Sequence, residues 1–552
     1  MKCLPIVDKA TMPRKPVSTY ALTARASSIG LLSAKLLAAF TIASLLGIPA
    51  SAHAAATPAR VHVAQGELQG VSLDNGVSAF LGVPYAAAPL GDLRWRPPAP
   101  VSAWFGTRNA TSVAARCMQP AGNAEYGPWT HEFLSHEPMS EDCLYLNIWV
   151  PTHSARTRLP ILFWIHGGGV TGGSGAVDIY NGEAFARDAR AIVISVNYRL
   201  GVFGFFSHPE LSSEGINGNQ AGYDLIAALR WVQNNAHALG GDPGRVTIAG
   251  QSGGAAAVNA LIVSPIAHGL FMGAIMQSFP VGVLPSSASL TAAQESGVSL
   301  ARALNVSSLA ELRTISAEQI EAKSGRKYGY PTCACFFADG KFLAEVPTLA
   351  IANRHQSDVP TMAGIVSAES PVPVSAASYA NGVAGRYRGL SEDFLRLYPA
   401  STNEEAKAQE LLSGRERLLV NMDRWVAARA RTSKTPVFLY MFDHTPPHSS
   451  QYGAFHTSEV PYVFGTLDAA PERGFTAQDR EISRNLMAYW ANFVKSGDPN
   501  GRGLPRWPRA TGLSPSPVME LGDRWEPLSP MPAIHRAFFY EYFNDGGYPF
   551  LF

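Results

Sequence analysis

The 552-residue chain predicts an α/β fold: a large, mostly parallel sheet with helices on both faces and a small antiparallel β region at the N-terminal side. Three observations lead there. Residues 159–165, 191–197 and 245–249 are short segments of strand length, apolar enough to be buried on both faces. Between the second and third lies residues 222–235, where Leu225, Leu229 and Val232 recur at helical spacing. Finally, no fixed-period repeat and no Pro/Ser/Gly-rich linker divides the chain, so the alternation of strand and helix belongs to one large unit over residues 55–552. Composition agrees: 46% of residues are hydrophobic and 16% charged, ample for a sizeable core. With 44 basic against 43 acidic side chains there is no electrostatic case for a nucleic-acid or polyanion partner.

Taken in order, the chain begins with a leader. Lys35 precedes an apolar run over residues 36–50, followed by the small-x-small exits Ala50-Ser51-Ala52 and Ala52-His53-Ala54. A basic flank, a short apolar stretch and a small-residue exit predict a secretory signal peptide over residues 1–54. The run is fifteen residues long with a proline in it, short of the ~20 a spanning helix needs, and no later stretch predicts a membrane span. Without the leader the remaining 498 residues carry 38 basic and 42 acidic groups, and four of the five cysteines. Residues 60–64 and 66–71 then read as strands, with Asn75-Gly76 as a hairpin turn. Residues 240–243, Gly-Gly-Asp-Pro, break the 222–235 helix, and a strand is expected from Arg245. Residues 285–330 and 372–430 are more helical and polar, as helices on the rim of a sheet are.

The chemistry centres on Gly250-Gln251-Ser252-Gly253-Gly254. In a G-x-S-x-G turn between strand and helix, glycines flank the serine because there is no room for side chains, and the hydroxyl is lifted above the sheet. An apolar strand precedes this turn and an Ala-rich helix follows it. A serine that transfers acyl groups also needs donors for the developing oxyanion. His166-Gly167-Gly168-Gly169 ends the 159–165 strand, and its backbone N–H groups, with that of Gly253, supply a three-donor hole formed by Gly168, Gly169 and Gly253. The competing G-x-G-x-x-G reading of Gly167, Gly169 and Gly172 wants an acidic residue ending the next strand; that strand ends Asn197-Tyr198-Arg199.

Several further segments carry a family resemblance. FLGVPYA at 80–86, GDLRWRPP at 91–98, SEDCLYLNIWVP at 140–151, GDPGRVT at 241–247 and MAYWANFVKSGDP at 487–499 resemble, in order, the signatures of the type-B carboxylesterases. These are α/β-hydrolases that include cholinesterases and many bacterial esterases, and the chain resembles a bacterial para-nitrobenzyl-esterase-like member. The similarity runs from about residue 60 to 545.

In that fold the triad runs Ser, acid, His along the chain. His456 lies in GAFHTSEVPYVFG at 453–465, which resembles the family's catalytic-histidine loop, whereas His355, His444 and His448 read as structural. The acid is expected at Glu369, ending the buried run 359–369; the family has Asp-Glu-Gly where this chain has Ala368-Glu369-Ser370. Asp358 is the alternative, but it precedes the strand. His456 would act as general base and acid for Ser252, with Glu369 holding the imidazole. Gln251 stands where the family usually has Glu, and Gly253 where it has Ala; loss of that charge predicts that cationic alcohols such as choline are disfavoured.

The resemblance also implies a Cys117–Cys143 disulfide, closing a 27-residue loop, and a structural Arg94–Glu141 ion pair. Trp129 and Phe133 in that loop either line the alcohol side of the pocket or pack in the core; Phe279 and Phe336 are further pocket candidates. Cys333 and Cys335 have no family counterpart and are either a free pair or a local bridge. The expectation is an exported, cofactor-free and metal-free serine hydrolase acting on a small-molecule carboxylic ester. The rival class is a catalytically silent binding or adhesion protein of the same fold, which predicts a broken triad; all three positions are filled.

Overall fold

The computed structural model describes residues 58–549 except 121–124, 153–156, 283–288, 325–335 and 371–373. The expected leader, Cys333 and Cys335 therefore lie outside the described residues. The strands are β1 (Ala59–Val63), β2 (Gly66–Leu73), β3 (Val77–Pro84), β4 (Thr107–Asn109), β5 (Arg116–Cys117), β6 (Met139–Ser140), β7 (Tyr145–Pro151), β8 (Leu159–Ile165), β9 (Ile192–Val196), β10 (Gly241–Gln251), β11 (Gly273–Gln277), β12 (Thr361–Val366), β13 (Val437–Asp443) and β14 (Val518–Gly522).

The main sheet has the order β1-β2-β3-β7-β9-β8-β10-β11-β12-β13-β14, with β4 on β2. From β9 through β14 every pair is parallel, whereas β1, β2, β3, β7 and β9 join antiparallel. The fold is that of an α/β-hydrolase, with its antiparallel part at the N-terminal side. The short apolar runs are buried on both faces because the side-chain period of a strand is two. In β8, Ile161, Phe163 and Ile165 enter one core cluster with the helix Gln220–Asn235, while Leu162 and Trp164 enter the other with the helix Ala477–Ser496.

One boundary differs from expectation. β10 starts at Gly241 rather than Arg245: Gly241 pairs with Leu159, then the register jumps to Val246 opposite Ile161. The Asp-Pro-Gly stretch is a bulge within the strand, not the break its composition suggests. Cys117 and Cys143 are bonded, and Arg94 grips Glu141 through Nε (2.7 Å) and Nη2 (2.5 Å). Among the described residues no helix is long and apolar enough to cross a membrane.

Candidate active site

β10 delivers Ser252 to the carboxyl edge of the sheet, and the helix Gly253–Val263 leaves from it. Ser252 has φ 55° and ψ −120°, a conformation that a side-chain-bearing residue adopts only under restraint. The restraint is visible: its N–H donates to the carbonyl of Gln277 at the end of β11 (2.8 Å). Gly254 allows the close approach, since a Cβ there would lie 2.0 Å from the Ile165 carbonyl oxygen; one on Gly250 would lie 2.5 Å from the backbone of Gly254. The G-x-S-x-G spacing is thus a packing requirement between the turn and the end of β8.

The loop after β8 lies against the same turn. Gly168, Gly169 and Val170 have φ of +97°, +63° and +54°. Their N–H groups donate to nothing among the described residues, and a Cβ on Gly253 would sit 2.7 Å from the Val170 nitrogen and 3.0 Å from that of Gly169. Gly168 and Gly169 are exposed and Val170 is buried; N–H groups with no protein acceptor, gathered beside a serine, are suited to receiving an anionic oxygen. His166 supports the loop: its ring stacks on Tyr198 at 4.6 Å, and Tyr198 donates to its carbonyl (3.0 Å). Burial pulls the His166 pKa down to about 4, which keeps that imidazole neutral.

Glu369 follows β12, and its Oε1 accepts the Val366 N–H (2.9 Å). Its Oε2 lies 2.5 Å from Nδ1 of His456. Both residues are nearly buried, at 5% and 9% exposure. The two loops are joined by the backbone, with Ala368 N–H donating to the Ala454 carbonyl (3.0 Å). The other edge of the imidazole meets the elbow, where Nε2 lies 3.1 Å from Nε2 of Gln251. With Nδ1–H given to Glu369, Nε2 carries the lone pair and the Gln251 amide donates to it. Burial opposes protonation of His456, but the charge and hydrogen bond of Glu369, with Glu459 behind, outweigh it and leave the imidazole pKa above its usual value.

An imidazole oriented by a carboxylate, set against a turn that carries a serine and next to loop N–H groups without protein acceptors, is an arrangement suited to acyl transfer. A model of the carboxylesterase family matches residues 57–531. The chain belongs to the carboxylesterase family. Relatives include a fumonisin B1 esterase of Sphingopyxis macrogoltabida, 35% identical over 81% of this chain and 84% of that protein. The human cocaine esterase is 34% identical over 84% and 85% of the two chains, and the acylcarnitine hydrolase of Rattus norvegicus 33% over 84% and 85%. This carboxylesterase is accordingly a carboxylic ester hydrolase, with a small-molecule ester as its substrate.

The expected pocket aromatics have different surroundings. Phe336 is 1% exposed, packed between Phe205 (5.0 Å) and Phe342 (5.7 Å) in the principal core. Phe279, half-buried just past β11, packs against the same core. Phe133 meets Phe455 edge-on at 5.8 Å beneath the Arg473 guanidinium. Trp129 stands beside the histidine loop, its Nε1–H donating to the His456 carbonyl (3.1 Å).

Two residues of this carboxylesterase escaped the sequence reading. Glu459 is fully buried; Oε1 accepts from Gln277 (3.1 Å), itself held by Trp490 (3.1 Å), while Oε2 has no hydrogen-bond partner among the described residues. Burial, with the nearby charge of Glu369, pushes its carboxyl up to about 7. The signal was its place three residues after His456 in a family-like loop. Arg473, also buried, carried no such signal.

Proposed function

We propose that this carboxylesterase is an exported serine hydrolase that cleaves neutral carboxylic esters through an acyl-enzyme on Ser252. His456 Nε2 takes the Ser252 proton as Oγ attacks the ester carbonyl, and Glu369 stabilises the imidazolium. The N–H groups of Gly168, Gly169 and Gly253 receive the oxyanion. Collapse expels the alcohol, which takes the proton from His456; water then repeats the sequence and releases the acid. The observation that carries this reading is the Glu369–His456 pair at 2.5 Å, with the other edge of the imidazole against the Ser252 elbow. The neutral side chain of Gln251 at that edge supports a preference for neutral alcohols. The apolar run at 36–50, the small residues after it and the Cys117–Cys143 disulfide support export.

The test is a fluorophosphonate probe on wild type and Ser252→Ala, followed by a p-nitrophenyl ester chain-length series. Wild type should label at Ser252 and turn esters over; the variant should do neither. Turnover that survives Ser252→Ala ends the assignment.

A further inference from the structure

The segment closed by the disulfide touches the histidine loop at several points, and these converge on one residue. Trp129 donates its indole N–H to the backbone carbonyl of His456 itself, across 327 positions of sequence. Its ring meets Phe455, the preceding residue, edge-on at 6.2 Å, and Phe133 meets the same ring at 5.8 Å. Arg473, 8% exposed, then binds both sides. On the segment it donates to the Pro128 carbonyl (2.7 Å), Thr130 Oγ1 (2.5 Å) and Glu132 Oε1 (2.5 Å); on the histidine loop it donates to Ser449 Oγ (3.2 Å). Its guanidinium also lies over Phe133 (5.4 Å) and Phe455 (5.8 Å).

We propose that residues 125–143, held at Cys143 by the disulfide, are a strap that sets the position of the catalytic histidine, with Trp129 and Arg473 as positioning residues that fasten it. This rests on the reading of His456 as the base. The loop needs such a fastening. Thr457, next to His456, is held at φ +85°, a region a β-branched residue does not enter unaided. On the other side the loop is tied to the acid turn through Ala368 and Ala454, to the elbow through Gln251, and to β11 through Gln277 and Glu459. The Glu369 bond fixes which way the imidazole faces; the strap fixes how far it stands from the elbow. Trp129 reaches the histidine through its main chain, so its contribution does not depend on the ester bound.

The test uses Trp129→Phe, which removes the N–H donor and retains an aromatic ring. Because a misplacement near 1 Å costs about 10²-fold, loss of one of several fastenings should lower kcat about 10-fold. KM should hold, and the factor should be the same for p-nitrophenyl acetate and butyrate. The rate of fluorophosphonate labelling should fall in parallel, with the melting temperature retained. Replacing both cysteines (Cys117→Ser with Cys143→Ser) should lower kcat in the same pattern, and combining it with Trp129→Phe should give less than the product of the two effects, since both act through one strap. Arg473→Lys provides a second fastening variant; if it fails to fold, the Trp129 and cysteine variants still decide. A rise in KM that grows with ester size would make Trp129 a pocket wall and overturn the proposal, as would wild-type kcat in Trp129→Phe. His456→Gln separates the two readings: if it keeps wild-type turnover, both fall; if it abolishes turnover while Trp129→Phe is unaffected, only the strap falls.

Discussion

Replacing Gly253 with alanine should cripple turnover while leaving the protein folded, although alanine is the usual residue of the resembling family at that position. A Cβ there would stand 2.7 Å from the Val170 nitrogen and 3.0 Å from the Gly169 nitrogen, whereas ordinary contact begins at 3.4 Å. Relieving the closer contact by loop movement alone takes about 0.7 Å, which stretches a 2.9 Å oxyanion hydrogen bond to about 3.6 Å, beyond useful range. Losing one such donor costs about 10²–10³ in rate. Some of the recoil is shared with the helix, so the expected loss in kcat is near the lower figure, about 10²-fold. Stability falls but not to unfolding: removing glycine's freedom from the unfolded chain gains about 0.4–1 kcal/mol, against about 1–3 kcal/mol for the overpacking, a net loss of at most about 2.6 kcal/mol. The assay is kcat and KM on p-nitrophenyl acetate, normalised by active-site titration, with a melting curve alongside. A kcat equal to or above wild type would show that the loop is not held against Gly253 as described.

Further outcomes follow from the site's electrostatics and core. On the proposed assignment the active form needs neutral His456, and its raised pKa keeps it protonated to higher pH, so kcat/KM should fall on acidification through a point above the ordinary ~6.5. Glu459→Gln removes one of the charges that raise it and should move that limb to lower pH; an unmoved limb in a rate–pH profile contradicts the coupling. Gln251→Glu puts an anion beside Nε2 and should move the limb up while improving choline esters relative to neutral esters of matched size. Wild type should prefer the neutral esters, and a choline preference in wild type would refute the role given to Gln251. In the core, Asp224→Ala strands Arg199, which is 3% exposed and donates to Asp224 through its backbone N–H, Nε and Nη2. The expected cost is about 3–5 kcal/mol, measured by urea unfolding; an unchanged midpoint would refute it.

What sequence made legible was whatever has a local signature. β8, β9 and the helix Gln220–Asn235 were readable from apolar length and spacing, and the elbow from glycines that packing demands. Where local composition and long-range pairing disagree, the sequence misleads: Gly241 to Arg245 reads as a break because nothing local shows Leu159 waiting opposite Gly241. Phe336 illustrates a second limit. An aromatic in a loop can line a pocket or fill the core, and only its neighbours Phe205 and Phe342, distant in sequence, decide which. Arg473 is a third case, since a single arginine among surface-like residues gives no sign that its partners on the disulfide-closed segment are 341 to 345 positions away.

Those same separations impose an order in time. Ser252 and its turn depend on strands complete by residue 277, but His456 and the arginine that braces its loop come off the ribosome much later. Contacts this distant in sequence close late, because the loop entropy must be overcome first. On the proposed assignment, a chain interrupted before residue 456 has a serine on its elbow and no base to activate it. Hydrolytic competence is therefore one of the last properties the folding polypeptide acquires, and an N-terminal fragment of this enzyme would be inert towards esters however well it folded.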